Sequence, residues 1–125
     1  MKNKLVHFAI YIDDMNRAKT FYTNLFGWNF NSYGPEDFLQ IKHSNKKNAQ
    51  LIGALQSRKY NPLDKRINGF ECSIEVDDID TIIQAISENG GKIIIPKTEI
   101  SHVGWLVKFL DTEKNIVCAI QYNKS

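Results

Sequence analysis

His7 and Glu71 are the residues whose types and positions point most directly to chemistry. They open two copies of one stretch: residues 7–27 read HFAIYIDDMNRAKTFYTNLFG, and residues 71–91 read ECSIEVDDIDTIIQAISENGG. Laid together without a gap, His7 falls on Glu71, Ile10 on Ile74, Asp13-Asp14 on Asp77-Asp78 and Gly27 on Gly91. A second echo follows downstream: LIGALQ at 51–56 matches IVCAIQ at 116–121, which sets Gly53 on Cys118. An imidazole and a carboxylate at equivalent positions can ligate a metal, or hydrogen-bond each other or a ligand. Two copies point to a pseudo-two-fold pair, because a solenoid needs at least three repeats.

The elements that must position these residues follow from hydrophobic period. Leu5 to Ile12 alternates, with Phe8, Ile10 and Ile12 on one face and His7, Ala9 and Tyr11 on the other. Asp13-Asp14 then breaks the strand and supplies a carboxylate for a helix start. Ala18, Phe21, Tyr22 and Leu25 make the helical stripe, and Gly27 stops it. Three strands follow, from Trp28, from Phe38 to Lys42, and from Gln50 to Gln56, with polar turns at 34–37 and 45–48. The first module is therefore βαβββ. The second repeats it: a strand from Phe70 to Val76, and a helix with Ile79, Ile82, Ile83 and Ile86 on one stripe. Three strands close it, at Lys92–Ile95 ending at Pro96, at Val103–Leu110 and at Ile116–Tyr122.

Residues 57–69, SRKYNPLDKRING, show no period and read as a solvated linker, or as a flap over a binding cleft. The expected organisation is one domain over 1–125, with module one at 4–56, the linker at 57–69 and module two at 70–122. The class is α+β: two paired βαβββ modules forming a curved mixed sheet around a cleft. If the apolar strand faces pack under the helices, the faces bearing His7 and Glu71 look into that cleft.

Composition narrows the function. At 125 residues and 42% hydrophobic, the chain suits one compact domain. A net charge of +2 gives no argument for nucleic acid. No apolar run approaches the roughly 20 residues of a membrane helix, and no signal peptide is read at the start. Cys72 and Cys118 sit in apolar strand contexts, so reduced thiols and a cytoplasmic location are expected.

Three stretches, IDDMNRAKTFYTNLFGW, IEVDDIDTIIQAISENGGKIIIPKTEI and VGWLVKFLDTEKNIVCAIQ, together resemble the vicinal oxygen chelate superfamily. That superfamily includes glyoxalases, bleomycin-resistance proteins and extradiol dioxygenases, and the resemblance covers nearly the whole chain. It implies a cleft in which each module offers one ligand from its first strand and one from its last. The corresponding first-strand positions are His7 and Glu71; the last-strand positions are Gly53 and Cys118.

The implied metal set is thus His7, Glu71 and Cys118, with zinc, nickel, manganese or iron as the candidate ion and no cofactor assured. Gly53 offers no side chain, and a Cys118 thiolate suits zinc better than a hard octahedral ion. Glu71 is also the candidate base for proton abstraction next to a carbonyl. Tyr11 and Glu75 share the faces of His7 and Glu71 and are candidate ligand contacts. Trp105 is a candidate aromatic wall or a core residue, and His102 a candidate cleft-edge group or an exposed loop histidine. His43 receives no role. Asp13-Asp14 and Asp77-Asp78 read as caps, and DTEKN at 111–115 as a hairpin turn.

The leading expectation is a small-molecule binder with a degenerate metal site. The alternatives are a metal-dependent lyase or isomerase of glyoxalase type, and an accessory module that binds a protein partner. Open sheet edges lead to the expectation of a homodimer.

Overall fold

A computed structural model describes residues 7–32, 36–42, 52–60 and 71–124. The expected turn at 45–48, His43 and most of the linker lie outside them. The chain divides into two compact units, Met1–Asp64 and Lys65–Ser125.

The first unit holds β1 (His7–Ile12), α1 (Met15–Phe26), β2 (Asn29–Ser32), β3 (Phe38–Lys42) and β4 (Ile52–Ser57), in the sheet order β1-β4-β3-β2. β1 runs parallel to β4, and the other pairs are antiparallel. The α1 stripe is buried as its spacing requires: Ala18, Phe21, Tyr22 and Leu25 are all within the core. The Asp14 carboxylate accepts the Arg17 N–H at 3.0 Å. Gly27, at φ +70°, ends the helix with its N–H on the Thr23 carbonyl. Tyr22 stacks on Trp28 with ring centroids 5.2 Å apart.

The second unit repeats the plan with β5 (Cys72–Glu75), α2 (Ile79–Glu88), β6 (Lys92–Ile100), β7 (Gly104–Leu110) and β8 (Ile116–Tyr122), ordered β5-β8-β7-β6. Asp78 caps α2, accepting from the N–H groups of Asp80 and Thr81 and from the Thr81 hydroxyl. Those Thr81 bonds, side chain first, hold the Asp78 carboxyl below its ordinary range. The Gln121 side chain on β8 accepts the Ile79 N–H at 2.8 Å, which fixes the start of α2 over one sheet face. Ile79, Ile82 and Ile86 are buried there, as are Val107, Phe109, Val117 and Ala119. Two four-stranded mixed sheets, each with one helix, make the α+β class that the repeat implied.

Two expectations are corrected. β6 does not end at Pro96 but runs to Ile100. It is an edge strand, where a missing N–H costs no ladder bond, and its register shifts twice between Ile93 and Thr98. The stretch after β4 is also not wholly irregular. Arg58–Tyr60 forms a 3-10 turn tied back to the unit. Arg58 Nε lies 3.1 Å from Asp13 Oδ1, Lys59 pairs with Asp37, and the Tyr60 hydroxyl donates to Asp37 at 2.8 Å. Lys59, then Tyr60, lower the Asp37 carboxyl from its usual range.

Candidate functional site

Strand pairing decides which side chains share a face. In the first unit His7 pairs with Ile52, Ala9 with Ala54 and Tyr11 with Gln56. His7, Ala9 and Tyr11 therefore stand on one face with Ala54 and Gln56. Gln56 pairs in turn with Phe38. The His7 ring lies nearly parallel to that of Phe38, at 10° with centroids 6.4 Å apart. Tyr11 is half-buried on this face and His7 exposed. Phe38 was not singled out from the sequence, because its meeting with His7 depends on a pairing 31 residues away along the chain.

Gly53 lies on the other face. It pairs with Phe8, and a Cβ placed there would collide with the Phe8 ring and come within 2.8 Å of Ile41 Cδ1. The repeat had set Gly53 on Cys118, yet the two strands differ by one residue in register. Ser73 pairs with Cys118, whereas its counterpart Ala9 pairs with Ala54. A one-residue shift moves a side chain to the opposite face. Gly53 is thus not the partner of Cys118; Ala54 is, and it also offers no donor atom.

In the second unit Ser73, Cys118 and Lys108 lie in one row across β5, β8 and β7. Glu71, two residues before Ser73, stands on the same side by alternation. Its carboxylate is engaged: Lys108 Nζ lies 3.1 Å from Oε1 and 3.3 Å from Oε2. Glu75 is exposed on this side, and Cys118 is 2% exposed. Both cysteines are free thiols. Burial, then the charge of Glu71, raises the Cys72 thiol above its ordinary range. Lys108 was legible in the sequence, because alternation sets it opposite Val107 and Phe109.

Trp105 does not join this face. It pairs with Gln121, whose side chain caps α2, and so stands on the helix side with Val107 and Phe109. Lys97 Nζ lies 4.7 Å from its ring centre and 3.1 Å from Asp80 Oδ1. His102 is exposed, at φ +67°, in the turn between β6 and β7.

Two buried acids went unread. Asp111 and Glu113 are 3% and 1% exposed. Asp111 Oδ1 accepts the N–H groups of Glu113 and Asn115, both at 2.8 Å, and Oδ2 accepts from the Asn115 amide. The Glu113 carboxylate accepts from the Thr112 hydroxyl. These carboxylates build the hairpin turn.

The fit to a metal is poor. Both oxygens of Glu71 face an ammonium, Ala54, the β4 residue in the place of Cys118, supplies no donor, and Cys118 is a single buried thiol. Among the described residues no three His, Cys, Asp or Glu side chains gather as a metal site requires. An open pocket of about 450 Å³ lies elsewhere, near Ile12, Met15, Asp37 and Tyr60. It lies where β1 and β4 end, at Ile12 and Ser57, whereas His7 opens β1.

Comparison with known proteins agrees with the architecture. A family model described as bleomycin resistance protein-like N-terminal matches residues 4–38. CFP32 of Mycobacterium tuberculosis, provisionally named a glyoxylase, is 24% identical over 91 residues, 73% of this chain. The chain spans 35% of the length of that relative. A glyoxalase/bleomycin resistance protein/dioxygenase family enzyme from Burkholderia phytofirmans superposes with a TM-score of 0.78 at 16% identity, covering 96% of this chain and 99% of that one. The fosfomycin resistance protein FosX of Listeria monocytogenes gives 0.74 at 14% identity, over 98% and 94%. The chain therefore has the glyoxalase/bleomycin-resistance/dioxygenase fold of the vicinal oxygen chelate superfamily, the family its sequence resembles.

Proposed function

We propose that this chain binds a small molecule through the sheet faces that carry His7 and Glu71, without a divalent metal. The observation that carries the reading is the engagement of Glu71: its two oxygens hold Lys108 rather than standing free. On the first unit the ligand would meet the His7 and Phe38 rings and Tyr11, an aromatic and polar mixture suited to a flat, partly polar molecule, and Glu75 is the corresponding polar group on the face of the second. The free thiols support a cytoplasmic setting. The exposed isoleucines of edge strand β6, Ile94, Ile95 and Ile100, support a homodimer. They also bear on the third expectation, a protein-partner module, since the sequence had offered no exposed apolar stripe.

The test is a ligand-observed NMR screen of a fragment library against chelator-treated protein. Hits that compete with one another, weaken on Phe38→Ala and survive chelation support the reading. Hits that appear only after zinc or manganese is added contradict it.

A second reading, a glyoxalase-type lyase or isomerase with Glu71 as base, is supported by the provisional name of CFP32. Turnover of methylglyoxal–glutathione hemithioacetal, abolished by Glu71→Gln, would favour it. A rate unchanged by that substitution removes Glu71 from the chemistry.

A further inference from the structure

We propose that the ε-ammonium of Lys108 is the resident cation of the second unit's sheet face and keeps a divalent metal off Glu71. The inference rests on the metal-independent reading above and gives it a cause. β8 lies between β5 and β7, so Ser73 and Lys108 are separated by two strand spacings, roughly 10 Å, and Glu71 stands two residues before Ser73. Both are long side chains, and they meet across the middle strand beside Cys118. The ammonium sits almost evenly between the two carboxylate oxygens, at 3.1 and 3.3 Å. A metal held by Glu71 needs those same lone pairs. Lys108 also pairs in register with Cys118, so the positive charge starts from the row of the one thiol able to complete a ligand set. A cation already present both occupies the carboxylate and repels a second cation. Gly53 and Ala54 explain why a metal site is incomplete in the first unit; Lys108 explains why the remaining donors of the second unit do not serve.

Lys108 is partly exposed, with 33% of its side chain open to solvent, so substitution there leaves the core intact. The test is titration of the full chain with cobalt(II), followed by calorimetry and by thiolate-to-cobalt absorption. The wild type and Lys108→Arg, which keep a cation, should show no absorption band. Lys108→Met should bind cobalt at least about tenfold more tightly and develop the band. The band should vanish in Lys108→Met with Cys118→Ser. Lys108→Gln serves the same purpose if the methionine variant does not fold. If the wild type and both neutral variants bind cobalt equally weakly, the inference fails while the metal-independent reading stands. Tight binding by the wild type overturns that reading as well.

Discussion

Phe8 and Gly53 face each other across β1 and β4, and the Phe8 ring fills the space that a side chain at position 53 would need. The glycine is therefore a packing solution as well as an absent ligand. Gly53→Ala should destabilise the chain by about 1–3 kcal/mol, because Phe8 and Ile41 must both move. In a Phe8→Ala background the same substitution should cost far less. Urea denaturation of the four proteins in this double-mutant cycle checks it, and additive penalties would show that the ring is not the obstacle.

Gly104 is held more rigidly. It is buried at φ +155°, and an added Cβ would strike the Gln121 carbonyl oxygen and approach Tyr122 Cα to 2.9 Å. These are backbone atoms of the adjacent strand and cannot swing away. Gly104→Ala should cost about 2 kcal/mol or more, with the loss read as a lower urea midpoint. A midpoint unchanged from wild type would contradict the packing of β7 on β8.

The Asp78 cap should shape stability in acid. Its carboxyl is lowered chiefly by the Thr81 hydroxyl and then by the Thr81 N–H. A lowered folded value means that the stabilisation is present above the unfolded carboxylate range and is lost as pH falls through the folded value. Thermal midpoints measured from neutral pH downward should fall less steeply for Asp78→Asn than for the wild type. Parallel acid limbs would show that the cap carries no such linkage.

Much of this fold was legible because its signals are local. The α1 stripe of Ala18, Phe21, Tyr22 and Leu25 needs only a helical period, and Asp14 and Asp78 need only their place before it. The misread features depend on pairing. Pro96 ended a strand in the sequence because the sequence does not say which strand is an edge. Gly53 was matched with Cys118 by letter, yet a one-residue difference in register set it on the opposite face. Trp105 drew attention as an aromatic, but Gln121 beside it belongs to the helix side. DTEKN at 111–115 reads as a hairpin turn, but its letters do not say that the turn folds around a buried Asp111 carboxylate.

The edge strand β6 gives a prediction about assembly. Ile94 is 37% and Ile95 44% exposed in the single chain, on a strand that, among the described residues, ends its sheet. The proposed homodimer should dissociate on Ile94→Lys, since an edge lysine opposes strand pairing and apolar docking. Light scattering after size exclusion should give a dimer for the wild type and a monomer for the variant. A wild-type monomer, or a variant that remains dimeric, would place the interface elsewhere or remove it.

The central claim is that Glu71 serves a metal-free site. Elemental analysis of wild-type protein, produced in medium supplied with zinc, nickel, manganese and iron, tests it most directly. The ion pair between Glu71 and Lys108 leads to far less than one equivalent of any of these metals per chain. One equivalent per chain, lost on Glu71→Gln and on His7→Ala, would contradict the account.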